Sequence, residues 1–498
     1  MTGETAGEPH ASEPALRKDL STFSLTALIM GAMIGSGIFF LPAAMLSQAG
    51  GPWPVMLAWV LGALVALTGG LTFAELGAAF PKAGGQYAFL RDSLGKGWSF
   101  LFAWSSFAVL QSGTIAAVAV ALAGAVDYFA IHALDIAGGL PGSNPCLGSE
   151  TSDGCDGLVL PKWGVGFLAI AIIAVLTFVN QLGVKRGALL NNAATVAKTG
   201  ALLVIAAVAF ILGKRSGNFD DVGGAFGAIT FGTFGLALAN SLFAYDGFAQ
   251  ATFVAAEVKN ARKALPRAIV LATVIVASIY LVATFAFFHA LPLDHLSNAA
   301  RAGNVPIAAE VMDWTLGGFA ASLVILAIVV STFGTVNTYV LTSPRIYHPI
   351  ARDGDFPKPF ARLNRHGTPT YGLWYGAIWA GLLTMSGGYI ALANLVVFGL
   401  YVFYLATMVG YFVLRRRQPE AFKAAGFRMP LRPVPVVFFL LASIAVLASY
   451  LVADVPLLFK GQVGGFLAST TGMGIVLIGI GAVLYAIQQR RASGPREV

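Results

Sequence analysis

Residues 31–40 read GAMIGSGIFF, inside an apolar run from Phe23 to Met45. Gly31, Gly35, Ser36 and Gly37 fall within seven residues, midway along a stretch able to cross about 30 Å of hydrocarbon. Each glycine costs about 1 kcal/mol in a helix interior, so the run weakens its own helix at mid-depth. One reading is close packing: Gly31 and Gly35 form GxxxG, and small residues let backbones approach. The sharper reading is a broken helix, because Ser36, Gly37 and Pro42 follow. Freed backbone groups are tolerated at that depth only where they line a cavity or find partners. A break offers N–H groups at the start of the next half-helix, a seat for an anion. It also offers carbonyls at the end of the preceding half, a seat for a cation. A zwitterion carries both charges, so Gly35–Ser36–Gly37 suits the carboxylate and amine of an amino acid.

The surrounding chain sets this stretch in a membrane. Of 498 residues, 57% are hydrophobic and only 11% charged, against about 25% charged in soluble domains. Apolar runs of helix-spanning length recur, whereas barrel strands would alternate over about ten residues. The spacing predicts an all-α polytopic protein with twelve transmembrane helices. They lie near 22–48, 53–79, 97–130, 163–181, 191–213, 227–256, 265–290, 315–346, 371–387, 390–414, 433–453 and 466–487. The first run is too long for a signal peptide, and a cleavable one is not expected. With both termini in the cytoplasm, 25 of the 31 Lys and Arg fall in inner segments and 5 in outer ones. That asymmetry favours an even number of spans with both ends inside. It also accounts for the net charge of +8 without nucleic acid. The expected partner is the lipid bilayer, and the expected location the plasma (inner) membrane.

The remaining basic residue is Lys198, inside span 5. An ionisable group in hydrocarbon costs about 2.5–3.5 kcal/mol and usually marks a pathway or a pair. Asp246 sits within span 6, in FAYDGF, next to Gly247. Glu75 and Glu257 lie near the inner ends of spans 2 and 6 and read as snorkelling or helix-end packing. No cluster of Cys, His and Asp suggests a metal, and no nucleophile–base pattern suggests an enzyme. No cofactor is expected. Cys146 and Cys155 share a polar outer loop, where a disulfide can persist; two unpaired surface thiols are the alternative. Gly247 gives span 6 a second interruption, five spans after the first. Paired interruptions at matching places point to an inverted-repeat transporter with a midplane site.

At this point the motifs form a pattern. GAMIGSGIFFLPA (31–43), FAEL (73–76), PKAGGQYAFLRDSLG (81–95), FAYDGFAQATFVAAEVKNARKALPRAI (243–269) and STFGTVNTYVLTSPRIYHPIARDGDFP (331–357) occur in order. Together they resemble the amino acid–polyamine–organocation (APC) superfamily, and within it the L-type and related sodium-independent amino acid transporters. The resemblance implies a leucine-transporter-like 5+5 inverted repeat with broken helices 1 and 6. Residues 1–20 and 489–498 would be cytoplasmic tails, 21–214 and 215–430 the repeats, and 431–488 two added helices. It further implies that the substrate carboxylate meets Ser36 and the N–H groups around Gly37. The amine would meet carbonyls near Met33 and Ile34 and around Phe243 and Asp246. Phe243 takes the place of the family's aromatic gate, although its residue type alone reads as apolar packing. Lys198 resembles the lysine that replaces sodium, donating near Gly35 and to a span-8 hydroxyl, expected to be Ser331. A structural salt bridge or a neutral lysine is the alternative. Asp246 departs from the usual small residue; it either selects cationic or amine-rich substrates, or pairs locally and turns away. The resemblance implies sodium-independent exchange or facilitated uptake of amino acids, the alternative being proton-coupled symport of an amino acid or polyamine. A heavy-chain partner is not expected, because the two cysteines can satisfy each other.

Overall fold

The computed structural model describes residues 20–493, apart from 82–83, 137–159, 161, 183, 221–228, 294 and 297–305. Cys146 and Cys155 lie outside the described residues. Among the described residues ten helices are long and apolar enough to cross a membrane, and the shorter Phe231–Ala244 and Thr370–Thr384 complete twelve.

Span 1 is two helices, Thr22–Met33 and Gly37–Ala49. Ser21 caps the first by accepting from Ser24 N, and Ile34 leaves helical geometry with ψ of 91°. Gly50 ends the second half with φ of 73°, its N–H bonded to Leu46 O, a left-handed cap that glycine adopts without strain. Span 6 breaks likewise between Phe231–Ala244 and Gln250–Phe253. The other spans are Pro52–Ala79 (2), Lys162–Gln181 (4), Val184–Leu212 (5), Ala261–Ala290 (7), Tyr389–Arg417 (10), Val434–Asp454 (11) and Thr470–Ser493 (12). Span 3 runs from Lys96 to Ile136 through a π-helical turn at Ser106–Leu110. The expected single span 8 over 315–346 is subdivided. A separate helix Ile307–Leu316 ends at Gly317, then Gly318–Thr342 crosses and Pro344–Arg352 continues past it. The reason is backbone: Gly317 takes φ of 86°, which stops one helix and starts the next.

The two halves pack in the same way. Span 1 packs on span 7 as span 6 packs on span 2. Span 5 packs on span 8 as span 10 packs on span 3, and span 4 on span 8 as span 9 on span 3. Exchanging spans 1–5 for 6–10 therefore carries each contact onto another. Five crossings are odd, so the second half enters the bilayer from the opposite side. This is the 5+5 inverted repeat, and it brings the two broken helices together at the centre.

The end of the bundle that carries most of the Lys and Arg is closed in layers. Arg345 Nε donates to Glu257 Oε1 at 2.6 Å, with both side chains only 5% exposed. Gly85 packs where a Cβ would come within 2.9 Å of the Thr252 backbone, and Leu20 pairs with Val258. Glu75 is fully buried, accepting from Tyr411 at 2.8 Å and lying 3.2 Å from Arg432. Neither carboxylate snorkels; both are paired inside the protein.

Candidate functional site

The glycines of the two breaks are each pressed by a neighbour. A Cβ on Gly35 would lie 2.9 Å from the side chain of Thr335 in span 8. One on Gly37 would lie 2.8 Å from the Cβ of Ala244 in span 6. One on Gly247 would lie 2.8 Å from Met33 Cγ in span 1. Both readings of the opening stretch hold at once: the glycines interrupt the helix and also let three spans meet there.

The freed carbonyls can be accounted for. Lys198 is 1% exposed, and its Nζ donates to Gly31 O at 2.7 Å, to Ile34 O, and to Thr335 Oγ1 at 3.1 Å. Three protons thus meet three acceptors. Among the described residues no carboxylate pairs with Lys198; the charge faces the carbonyl end of a half-helix, where the dipole is negative. Thr335 Oγ1 also lies 3.1 Å from both Gly31 O and Ile34 O. The expected hydroxyl, Ser331, is corrected by one helical turn. Its Oγ is buried without a hydrogen-bond partner, and only its carbonyl takes part, 3.2 Å from Thr335 Oγ1. Positions 331 and 335 share a helix face, so sequence spacing alone cannot choose between them. Met33 O is held from span 7 by the Tyr280 hydroxyl at 2.6 Å.

A cavity of about 10 Å³, room for a single water, remains between the breaks. Met33, Gly35, Ser36, Gly37 and Phe243 line it, with Ala32, Thr114, Val118, Ala244, Thr335 and Tyr339. Ile34, Asp246 and Gly247 do not. On the side away from the basic end, Ser36 Oγ donates to the Tyr389 hydroxyl at 3.1 Å. Phe243 meets the Tyr389 ring edge-on at 6.0 Å, and Phe40 meets it at 5.7 Å. Three aromatic rings therefore stand together on that side of the cavity.

Asp246 is 7% exposed and turned into the protein. Tyr404 donates to Oδ1 at 2.6 Å and Tyr339 to Oδ2 at 3.2 Å. No cation pairs with it among the described residues. Tyr339 forms part of the cavity wall, so the carboxylate stands one side chain behind that wall. Among the described residues no group of three or more His, Cys, Asp or Glu could hold a metal. Sequence reasoning missed Thr335, Tyr280, Tyr339, Tyr389 and Tyr404. Only the hydroxyl-rich face of span 8, STFGTVNTYVLT at 331–342, carried a signal for any of them.

The arrangement sets the start of one half-helix and the ends of two others around one small cavity inside a membrane bundle. The amino acid permease model matches residues 20–487. The chain belongs to the amino acid permease family. Like the family, it is a membrane transporter and not an enzyme. It is 28% identical to the serine/threonine exchanger SteT of Bacillus subtilis (strain 168), over 97% of this chain and 100% of the relative. It is 30% identical to the b(0,+)-type amino acid transporter 1 of Oryctolagus cuniculus, over 82% of this chain and 78% of the relative. The Asc-type amino acid transporter 1 of Homo sapiens is also 30% identical, over 82% and 74%. The permease shares its fold with the crystal structure of MhsT in complex with L-phenylalanine: TM-score 0.60, 15% identity, covering 89% of this chain and 100% of that one.

Proposed function

We propose that this permease is a sodium-independent exchanger or facilitator of amino acids, working by alternating access. One observation carries the reading: Lys198 Nζ already fills the position between Gly31 O, Ile34 O and Thr335 Oγ1. A sodium ion there would sit against an ammonium. At about 4 Å and an effective dielectric near 20, that repulsion is about 4 kcal/mol. Ser36, Gly37 and the cavity-facing N–H groups would take the carboxylate, and carbonyls of the two breaks the amine. Phe243 would close the side away from the basic end. The basic end would face the cytoplasm of a plasma-membrane protein, with repeats over 21–214 and 215–430, acting without a heavy-chain subunit.

Counterflow in proteoliposomes tests the reading. Labelled amino acid should enter faster when unlabelled amino acid is inside, with choline replacing sodium throughout. Entry that requires sodium would overturn it. A second reading, proton-coupled symport of an amino acid or polyamine, is favoured by Asp246, a buried carboxylate with two hydroxyls and, among the described residues, no cation. It predicts substrate-driven alkalinisation of the outside medium, which pure exchange lacks.

A further inference from the structure

Spans 5 and 7 pack together and end on the same side, away from the basic end. Each turns one exposed apolar stripe outward. On span 5 the stripe is Val196, Leu203, Val204, Phe210 and Ile211; on span 7 it is Leu271, Val274 and Val282. The steps are close to whole helical turns, so each stripe keeps to one face. In a chain that crosses a bilayer, such a face meets lipid tails.

Both stripes run into a cavity of about 280 Å³. Phe210 ends the first stripe in its wall, and Phe285 and His289 continue the second into it. Ordinary small-molecule sites begin at about 300 Å³. The cavity can therefore seat a compact polar head but not the chains of a lipid. One wall is a stack of rings. Phe285 stacks on Phe219 at 4.6 Å, and Phe210 stacks on Phe285 at 5.6 Å and on His289 at 5.8 Å. Arg215 and Asp220 add the charge.

The loop that carries this pair is tied to the end of span 7 by other residues. The Ser216 N–H donates to His289 O at 2.9 Å, and Ser216 Oγ to Phe288 O at 2.8 Å. Asn218 Nδ2 donates to Phe288 O at 2.9 Å and to Leu291 O at 2.8 Å. Trp53 Nε1 of span 2 donates to Phe219 O at 3.2 Å. Arg215 and Asp220 take no part in this tie. Their side chains are 72% and 59% exposed, and an ion pair so exposed adds little to folding. Arg215 donates to Asp220 through one nitrogen. A guanidinium has five N–H donors in a fork that fits phosphate, so the pairing leaves it able to hold a second oxyanion.

We propose that this cavity seats the phosphodiester of a membrane phospholipid, bound by Arg215, with the acyl chains lying on the stripes of spans 5 and 7. A soluble phosphate would leave the stripes unused, and a neutral lipid would leave Arg215 unused. Asp220 competes with the phosphodiester for the guanidinium. The bound lipid joins the loop after span 5 to the last turn of span 7.

The test titrates the purified full chain in detergent with dioleoylphosphatidylglycerol and follows bound lipid by native mass spectrometry. Dioleoylglycerol supplies the same chains without the phosphodiester, and glycerol 3-phosphate supplies the phosphate without chains. Neither should bind where the phospholipid saturates. Arg215→Gln should weaken the tightest phospholipid about tenfold, the scale of one charge-assisted hydrogen bond. Asp220→Asn removes the competitor and should tighten it. An ion pair with a merely structural role would shift both variants alike or neither. Equal phospholipid binding by the wild type and both variants would overturn the proposal. So would dioleoylglycerol or glycerol 3-phosphate binding as tightly as the phospholipid. If Arg215→Gln yields no folded protein, Asp220→Asn decides: tighter binding supports the proposal, and unchanged or weaker binding overturns it.

Discussion

Thr335 joins the break in span 1 to Lys198: its side chain lies 2.9 Å from where a Gly35 Cβ would be, and its Oγ1 lies 3.1 Å from Lys198 Nζ. The three atoms that crowd Gly35, Cγ2, Oγ1 and Cβ, all belong to that side chain. A methyl group at 35 therefore displaces the residue that helps hold Lys198. Gly35→Ala should lower stability by about 1–3 kcal/mol, as overpacking does, and lose transport. Adding Thr335→Ala should restore the melting temperature but not transport, because Lys198 then lacks its third acceptor. Full recovery of counterflow in the double variant would show that Thr335 only fills space.

Gly37 and Ala244 make a second pair whose volumes can be exchanged. Gly37→Val drives a branched side chain into Ala244 and into the proposed carboxylate seat, so binding should vanish. Gly37→Ala with Ala244→Gly moves one methyl across the gap, and stability should return to near the wild-type value. Thermal melting with and without amino acid separates the two effects. Ligand-induced stabilisation of Gly37→Val would count against the seat.

Lys198→Ala should lose most transport while the protein still expresses. It removes the charge and two donors' worth of bonds to Gly31 and Ile34, at about 1–3 kcal/mol for each acceptor left dry. Wild-type uptake should be the same in sodium and in choline. Strong sodium stimulation of the wild type would refute the replacement.

Asp246→Asn keeps the shape between Tyr339 and Tyr404 and removes the charge. If the carboxylate acts through the Tyr339 wall on cationic side chains, arginine and lysine should lose about tenfold in competition, the scale of one charge-assisted bond. Neutral amino acids should be unaffected. Equal losses for both classes would assign Asp246 to holding spans 6, 8 and 10 together.

A Cys146–Cys155 disulfide is expected from the outer loop. Peptide mapping by mass spectrometry without reduction should find the linked pair. Two alkylatable thiols in unreduced protein would contradict it.

Residue types that a membrane excludes were the ones that could be read from sequence. Lys198, Asp246 and the clustered glycines stand out because each is expensive in an apolar helix unless something answers it. Residues that are ordinary in such a helix could not be sorted. Span 8 offers Ser331, Thr332, Thr335, Thr338 and Thr342, and the four threonines each bond their own backbone one turn back. Which of them reaches Lys198 depends on how the helix is rotated and how far it slides, and neither is written in its periodicity. Tyr280, Tyr389 and Tyr404 drew no reading for the same reason. The carbonyls around Met33 and Ile34 were foreseen as acceptors, but their occupants come from spans 5, 7 and 8, more than a hundred residues away.

Arg345 and Glu257 form a seal whose energetics differ from those of an apolar plug. Parting two greasy surfaces exposes them to water at about 25 cal/mol per Å² on every opening. Two ions parted into an opening vestibule are instead rehydrated, and hydration returns much of what their burial had withheld. Such a lock is firm while dry and releases once water reaches it. Its strength then depends on wetting, so osmotic stress that withdraws water should slow exit at the basic end more than entry at the other.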